Sequence, residues 1–240
     1  SILMSESLLL NSSSPRDLAS WVLPIPVCPR KMNDPIGLLG SFNPVLFLWI
    51  ALTTASTAES WPMILSFMLF SKLNSTPFSV WSIVLRGPPD IKEQIKKNKI
   101  NSVDAVIYTH EHADQTVGIF ELRPFFWKNK KKIPVYGSKR TINLLKKSYT
   151  FCFSPQSGYQ PIMSAHIFKE RFNIRLNKSN FKIRAIELQH GKIKANGFIF
   201  NKIAYLSDCN KIPNKSYKYL KNLDYLIIDC LRKNPHPTHL

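Results

Sequence analysis

The chain has 240 residues, 44% of them hydrophobic, which is ample for one large domain or for a domain with an appendage. Its 33 Lys and Arg stand against 15 Asp and Glu, a formal net charge of +18 that favours polyanions such as RNA or phosphorylated substrates, although an AT-rich genome writes the same Lys, Asn and Ile onto any surface. Four widely spaced cysteines, Cys28, Cys152, Cys209 and Cys230, match no zinc-ribbon pattern and read as reduced residues of a cytoplasmic protein.

Residues 1–86 differ from the rest of the chain. They hold four of the five tryptophans (Trp21, Trp49, Trp61, Trp81) but only five basic and four acidic residues, so nearly all the charge excess lies beyond them. Phe42 to Phe70 is largely apolar, yet Pro44, Pro62 and a polar stretch interrupt it short of the ~20 residues a membrane helix needs. Ser1 to Leu10 lacks the basic start of a secretory signal. The expectation is therefore no membrane span and an unmatched segment over 1–86. One account of that segment is a coding stretch read on the wrong strand or frame, since a Lys/Asn/Glu-rich gene so read yields Phe, Leu and Ser.

From Asp90 the signals agree with one another. Ile91 to Asn98 has apolar positions four apart and predicts a short helix. Val103 to Tyr108 has the β-branched and aromatic content of a buried strand, and stops at a polar cluster holding His110, His112 and Asp114. Residues two apart in extended chain point the same way, so both imidazoles can converge on one point while Asp114 reaches a second nearby. Nitrogen and carboxylate oxygen are the donors that divalent zinc, manganese or iron prefers, although two histidines at a strand end are more often a solvated loop.

Thr116 to Leu122 can start a helix that Pro124 limits. Ile133 to Tyr136 predicts a strand, and Ser138 an N-cap for Lys139 to Lys147. Phe151 to Ser164 reads as a loop whose aromatics pack it down rather than line a pocket, and His166 is given a structural role. Phe181 to Leu188 alternates like a half-buried strand and stops at Gln189-His190. Phe198 to Leu206 reads as a hairpin turning at Asn201-Lys202 and ending at Ser207-Asp208, and Leu223 to Ile228 as a strand ending at Asp229, before His236 and His239. Strand after strand ends in His or Asp. In open α/β sheets such ends share one edge, where ligands bind.

The run Tyr108-Thr-His-Glu-His-Ala-Asp-Gln115 resembles the His-x-His-x-Asp-His signature of the metallo-β-lactamase superfamily. With Gly118 and Glu121-Leu-Arg-Pro124 it is similar, more narrowly, to the branch containing the phosphodiesterase accessory to carbon–phosphorus lyase and, more distantly, ribonuclease Z. The resemblance implies an α/β fold, the metallo-β-lactamase-like αββα sandwich, over residues 87–240. It is expected to be incomplete, because relatives run on past the position of Leu240 to a last metal-binding histidine. It also implies a metal-dependent hydrolase, a phosphodiesterase acting through a metal-activated water, with two divalent ions (Zn or Mn) in intact relatives and one or none here.

By the same resemblance His110, His112 and His190 hold the first ion and Asp208 bridges both. Asp114 binds the second ion and orients the water, and His239, or less well His236, steadies the phosphate or protonates the leaving group. Apart from the resemblance, Asp229 reads equally well as a partner that fixes a ring orientation. The family's final histidine is Gln115 here, a weak neutral ligand. Phosphodiester or other small anionic substrates are the implied partners. Two other readings stand beside this one: a non-catalytic, degenerate or truncated fragment with a basic nucleic-acid-binding surface, and, ranked last, a protein anchored through residues 43–70.

Overall fold

The computed structural model describes residues 46–50, 67–72, 80–98, 100–176, 179–228 and 236–239. The chain divides into two compact units, Ser1–Met32 and Asn33–Leu240, and every described residue belongs to the second.

Strands β1 (Leu46–Ile50), β2 (Phe67–Lys72), β3 (Val80–Leu85), β4 (Ala105–Ile107), β5 (Ile133–Gly137) and β6 (Met163–Ile167) form a six-stranded sheet in that order. Neighbours from β1 to β3 are antiparallel, and those from β3 to β6 are parallel. Parts of the apolar stretch Phe42 to Phe70 are thus paired strand, and no helix among the described residues is long and apolar enough to cross a membrane. Strands β7 (Arg171–Leu176), β8 (Ser179–His190), β9 (Ile193–Phe200), β10 (Ile203–Leu206) and β11 (Tyr225–Ile228) form the second sheet, in the order β11-β10-β9-β8-β7.

The period-two pattern of the strands sorts their side chains into three apolar layers. Ile83, Leu85, Ala105 and Ile107 of the first sheet meet Ile174, Ile183, Phe198, Phe200 and Tyr205 of the second, making the core between the sheets. The alternate residues Val84, Val106 and Val135 face a helical layer with Ile91, Ile119, Leu122 and Leu145. On the far face of the second sheet Ile186, Ile199, Ala204 and Leu206 pack against Cys209, Ile212 and Leu220. Strand β4 is buried on both faces, as a central parallel strand must be, and that accounts for its unbroken apolar run.

The helical layer comprises α1 (Ile91–Lys97), α2 (Ala113–Thr116), α3 (Arg123–Asn129), α4 (Lys139–Ser148) and α5 (Thr150–Phe153), while α6 (Asn214–Tyr217) lies beside β8. Ser138 caps α4 as expected, its Oγ accepting from Thr141 N at 3.1 Å. The expected helix over Thr116 to Leu122 is a 3-10 segment, Val117–Leu122, and Pro124 does not end it. Pro124 sits in the first turn of α3, where a missing N–H breaks no helical hydrogen bond. Asn201, in the left-handed region at φ 54°, makes the two-residue turn between β9 and β10. The 151–164 aromatics divide: Phe153 packs on the core, whereas Phe151 and Tyr159 are exposed. His166 stacks on Tyr136, ring centroids 5.0 Å apart.

Candidate metal centre

Three strand ends meet at one edge of the sandwich. Chain leaving β4 gives Thr109 and His110, β8 ends on His190, and chain leaving β10 gives Ser207 and Asp208. Asn196 of β9 fastens the two sheets there, its backbone N–H (3.0 Å) and side-chain Nδ2 (2.9 Å) both donating to Thr109 O. Asp208 takes φ 50°, a left-handed conformation that Asp tolerates better than most L residues, and it is buried.

The ring nitrogens of His110, His112 and His190 offer one ligand atom each, all within 4.8 Å of one another. Two of these rings, His190 and His110, are held from behind. His190 Nδ1 lies 2.7 Å from Thr238 O; a carbonyl only accepts, so Nδ1 carries the proton and Nε2 turns inward, 3.2 Å from His112 Nδ1. His110 Nδ1 meets Thr109 Oγ1 at 3.0 Å, while its Nε2 is fully buried with no hydrogen-bond partner. Burial, and then the neighbouring rings and Arg86, push the His110 pKa down to about 2. His190 is also lowered, chiefly by burial, against the opposing effect of its bond to Thr238. An imidazole nitrogen with its lone pair turned inward, as at His190 Nε2, is a donor that a borderline divalent ion takes, and a buried nitrogen without a hydrogen-bond partner, as at His110 Nε2, is what such an ion would satisfy.

The carboxylates and the last histidine complete the cluster. Asp208 Oδ2 stands 3.7 Å from His110 Nε2, and Asp208 Oδ1 stands 3.8 Å from His239 Nδ1. The His239 ring lies 5.0 Å from that of His190 and 5.1 Å from that of His236. Asp114 is exposed, and its Oδ2 accepts from Gln115 Nε2 at 2.6 Å. Asp229 lies outside the described residues. The segment bearing His239 rests on Gly191, whose φ is 59°, and a Cβ there would come within 2.7 Å of Thr238 Cγ2.

Several contributors are not apparent from sequence alone. Glu111, between the two histidines, is held by Arg140 Nε at 2.5 Å and Thr141 Oγ1 at 3.2 Å, which ties the motif loop to the start of α4. Arg86, just past β3, reaches Gln115. Its only sequence signal is a charge closing the apolar run of β3 ahead of Gly87-Pro-Pro.

Known proteins give the cluster its context. Residues 79–240 match the family described as Beta-lactamase superfamily domain. Among solved structures, a diphosphatase of the PhnP family is 27% identical with a TM-score of 0.61, the match covering 77% of this chain and 67% of that one. The metallo-beta-lactamase fold protein YhfI from Bacillus subtilis, 17% identical, has a TM-score of 0.52 over 78% of this chain and 69% of its own. An octanoyltransferase of Porphyromonas gingivalis is 26% identical over 160 residues, 65% of this chain, which spans about a third (32%) of that relative's length. With two packed sheets and the family match over two thirds of its length, the chain belongs to the beta-lactamase superfamily and has a metallo-β-lactamase-like fold.

Proposed function

We infer that this chain is a metal-dependent phosphodiesterase, and the observation that carries the reading is the convergence of three imidazole nitrogens from β4 and β8, within 4.8 Å of one another. The likeness to a PhnP-family diphosphatase favours a phosphorus-centred substrate, as does the basic excess after residue 86. His110, His112 and His190 would hold the ion, zinc or manganese, with Asp208 beside them. When bound, such an ion supplies a Lewis acid for the phosphoryl oxygen and makes water acidic enough to attack near neutral pH.

The chain's own groups do the rest. Asp114, exposed beside the imidazoles, orients the attacking water and accepts its proton. His239, steadied near Asp208 Oδ1, donates a proton to the departing alkoxide. Thr238 O holds His190 in the tautomer that turns its Nε2 lone pair inward, and Thr109 Oγ1 steadies the His110 ring. The cytoplasm suits the two described cysteines, Cys152 and Cys209, which are buried thiols, that of Cys152 pushed up to about 12 by burial.

The test is hydrolysis of bis(p-nitrophenyl) phosphate by zinc- or manganese-loaded protein. Turnover that EDTA abolishes and added metal restores is expected, and loaded protein with no turnover would defeat the reading.

A second reading has its own observation, a cleft of about 540 Å³ on the second sheet lined by Arg171, Lys182, Arg184 and Tyr219 among others. Three cations and an aromatic suit a nucleic acid, bound without catalysis. RNA binding that weakens steeply with salt and is unmoved by EDTA would favour it.

A further inference from the structure

Beside the imidazoles, Arg86, Gln115 and Asp114 form a chain of hydrogen bonds whose direction is set by chemistry. A guanidinium has donors and no acceptor, so the end of Gln115 that meets Arg86 Nη1 at 2.8 Å must be its carbonyl oxygen. The amide nitrogen is then left to donate to Asp114 Oδ2 at 2.6 Å. Neither Gln115, 1% exposed, nor Arg86, 4% exposed, has water to fall back on.

Backbone contacts lock the two segments together. Gly87 N donates to Gln115 O at 2.6 Å, and Gly118 N to Gly87 O at 2.8 Å. The approach is so close that a Cβ on Gly118 would lie 2.0 Å from Pro88 O. The side chains of Arg86 and Gln115 therefore meet because the main chain brings them there.

By the family resemblance a second divalent ion would take Asp114 and a donor atom from residue 115. Residue 115 presents N–H groups to that carboxylate, and its only side-chain oxygen is turned to a cation that is never neutral. An incoming metal would face the positive end of the amide and, behind it, the guanidinium charge. These residues do not fit a second ion.

We propose that this hydrolase holds one divalent ion per chain, at His110, His112 and His190, and that Arg86 with Gln115 stands in for the second, supplying positive charge on that side and fixing Asp114. The inference rests on the metal-hydrolase reading above, and stoichiometry separates the two.

Zinc is the probe. The full chain, stripped by chelator dialysis and titrated with Zn(II) in a calorimeter, with bound zinc counted after gel filtration, is expected to saturate at one ion. Gln115→His is expected to reach two. Co(II) titration followed by visible absorption gives the same count independently of activity, with a break at one equivalent in the wild type and a second break at two in the variant. Two ions on the wild-type chain overturn the single-ion proposal and leave the hydrolase reading intact; no ion at all overturns both. A Gln115→His protein that folds by circular dichroism and still stops at one ion overturns the role given to Gln115. The wild-type count decides the matter even where the variant does not fold.

Discussion

The imidazole side of the cluster and the amide side lie next to each other and obey opposite rules. On the first, Thr238 O holds His190 and Thr109 holds His110 from behind, His190 Nε2 meets His112 Nδ1, and His110 Nε2 is buried with no hydrogen-bond partner. On the second, both ends of Gln115 are used, the oxygen by Arg86 and the nitrogen by Asp114. A buried polar atom left without a partner is unfavourable by about 1–3 kcal/mol, a cost that an ion bound at His110 Nε2 would relieve. With both ends of its amide engaged, Gln115 turns no oxygen toward an incoming cation. Charge sharpens the contrast, since buried His110 is held neutral while Arg86 is permanently cationic.

The largest expected effect comes from His110→Ala. Losing a metal ligand removes several kcal/mol of transition-state stabilisation, so phosphodiester hydrolysis should fall by about three orders of magnitude or more, and bound zinc should drop with it. Zinc should also cease to raise the melting temperature, which separates lost binding from lost chemistry. A variant that still binds zinc and turns over as before would erase the distinction between the two sides. Next is Arg86→Met, which leaves the Gln115 oxygen buried without its donor and should destabilise the fold by about 1–3 kcal/mol in urea unfolding. If the amide side is structural as well as electrostatic, that loss appears in metal-free protein too.

The imidazole side was legible in sequence because it is written in strand ends. His110, His190 and Asp208 each follow an apolar run whose period or composition marks a strand, and the pleat places such ends at one sheet edge. The amide side was not legible. Arg86 and Gln115 are 29 residues apart, and nothing local to either names the other. Gln115 reads in sequence as a weakened ligand; the direction of its amide appears only once a group with donors alone is seen beside it. Asn196 was hidden for a related reason, as a polar residue within a strand reads as solvent-facing until Thr109 O is found opposite. Pro124 shows the limit of breaker signals, since the same ring that stops a helix also suits the first turn of the next.

Gly191→Ala tests whether the wall carrying His239 belongs to the imidazole side. A methyl at φ 59° is strained by about 1–2 kcal/mol and would press on Thr238, whose carbonyl orients His190. Turnover should fall about 10- to 100-fold, the range seen when a ligand's supporting contact is lost, with the zinc count unchanged. An unchanged rate would detach residues 236–239 from the site.

Glu187 supplies the smallest effect and the control. It lies on β8, the strand that ends in His190, but it is a surface group: Lys215 Nζ at 3.0 Å and Lys194 Nζ at 3.1 Å hold its carboxylate, with 32% of the side chain exposed. The hydrogen bond from Lys215 is the main cause that lowers its pKa below the ordinary value. A carboxyl whose folded pKa is depressed adds stability above its unfolded pKa, ~4.3, and loses it as pH falls through the folded value. Exposure and salt screening limit the contribution to at most about 1 kcal/mol. Glu187→Gln should therefore lower the melting temperature by no more than about 2–4 °C at pH 7, less in high salt, and by progressively less as acid protonates the folded carboxyl. Zinc stoichiometry and turnover should not move, because this charge is solvated and its partners are lysines. A change in zinc count would mean that β8 couples its surface charges to His190, and the imidazole side could no longer be treated as held by Thr238 and Thr109 alone.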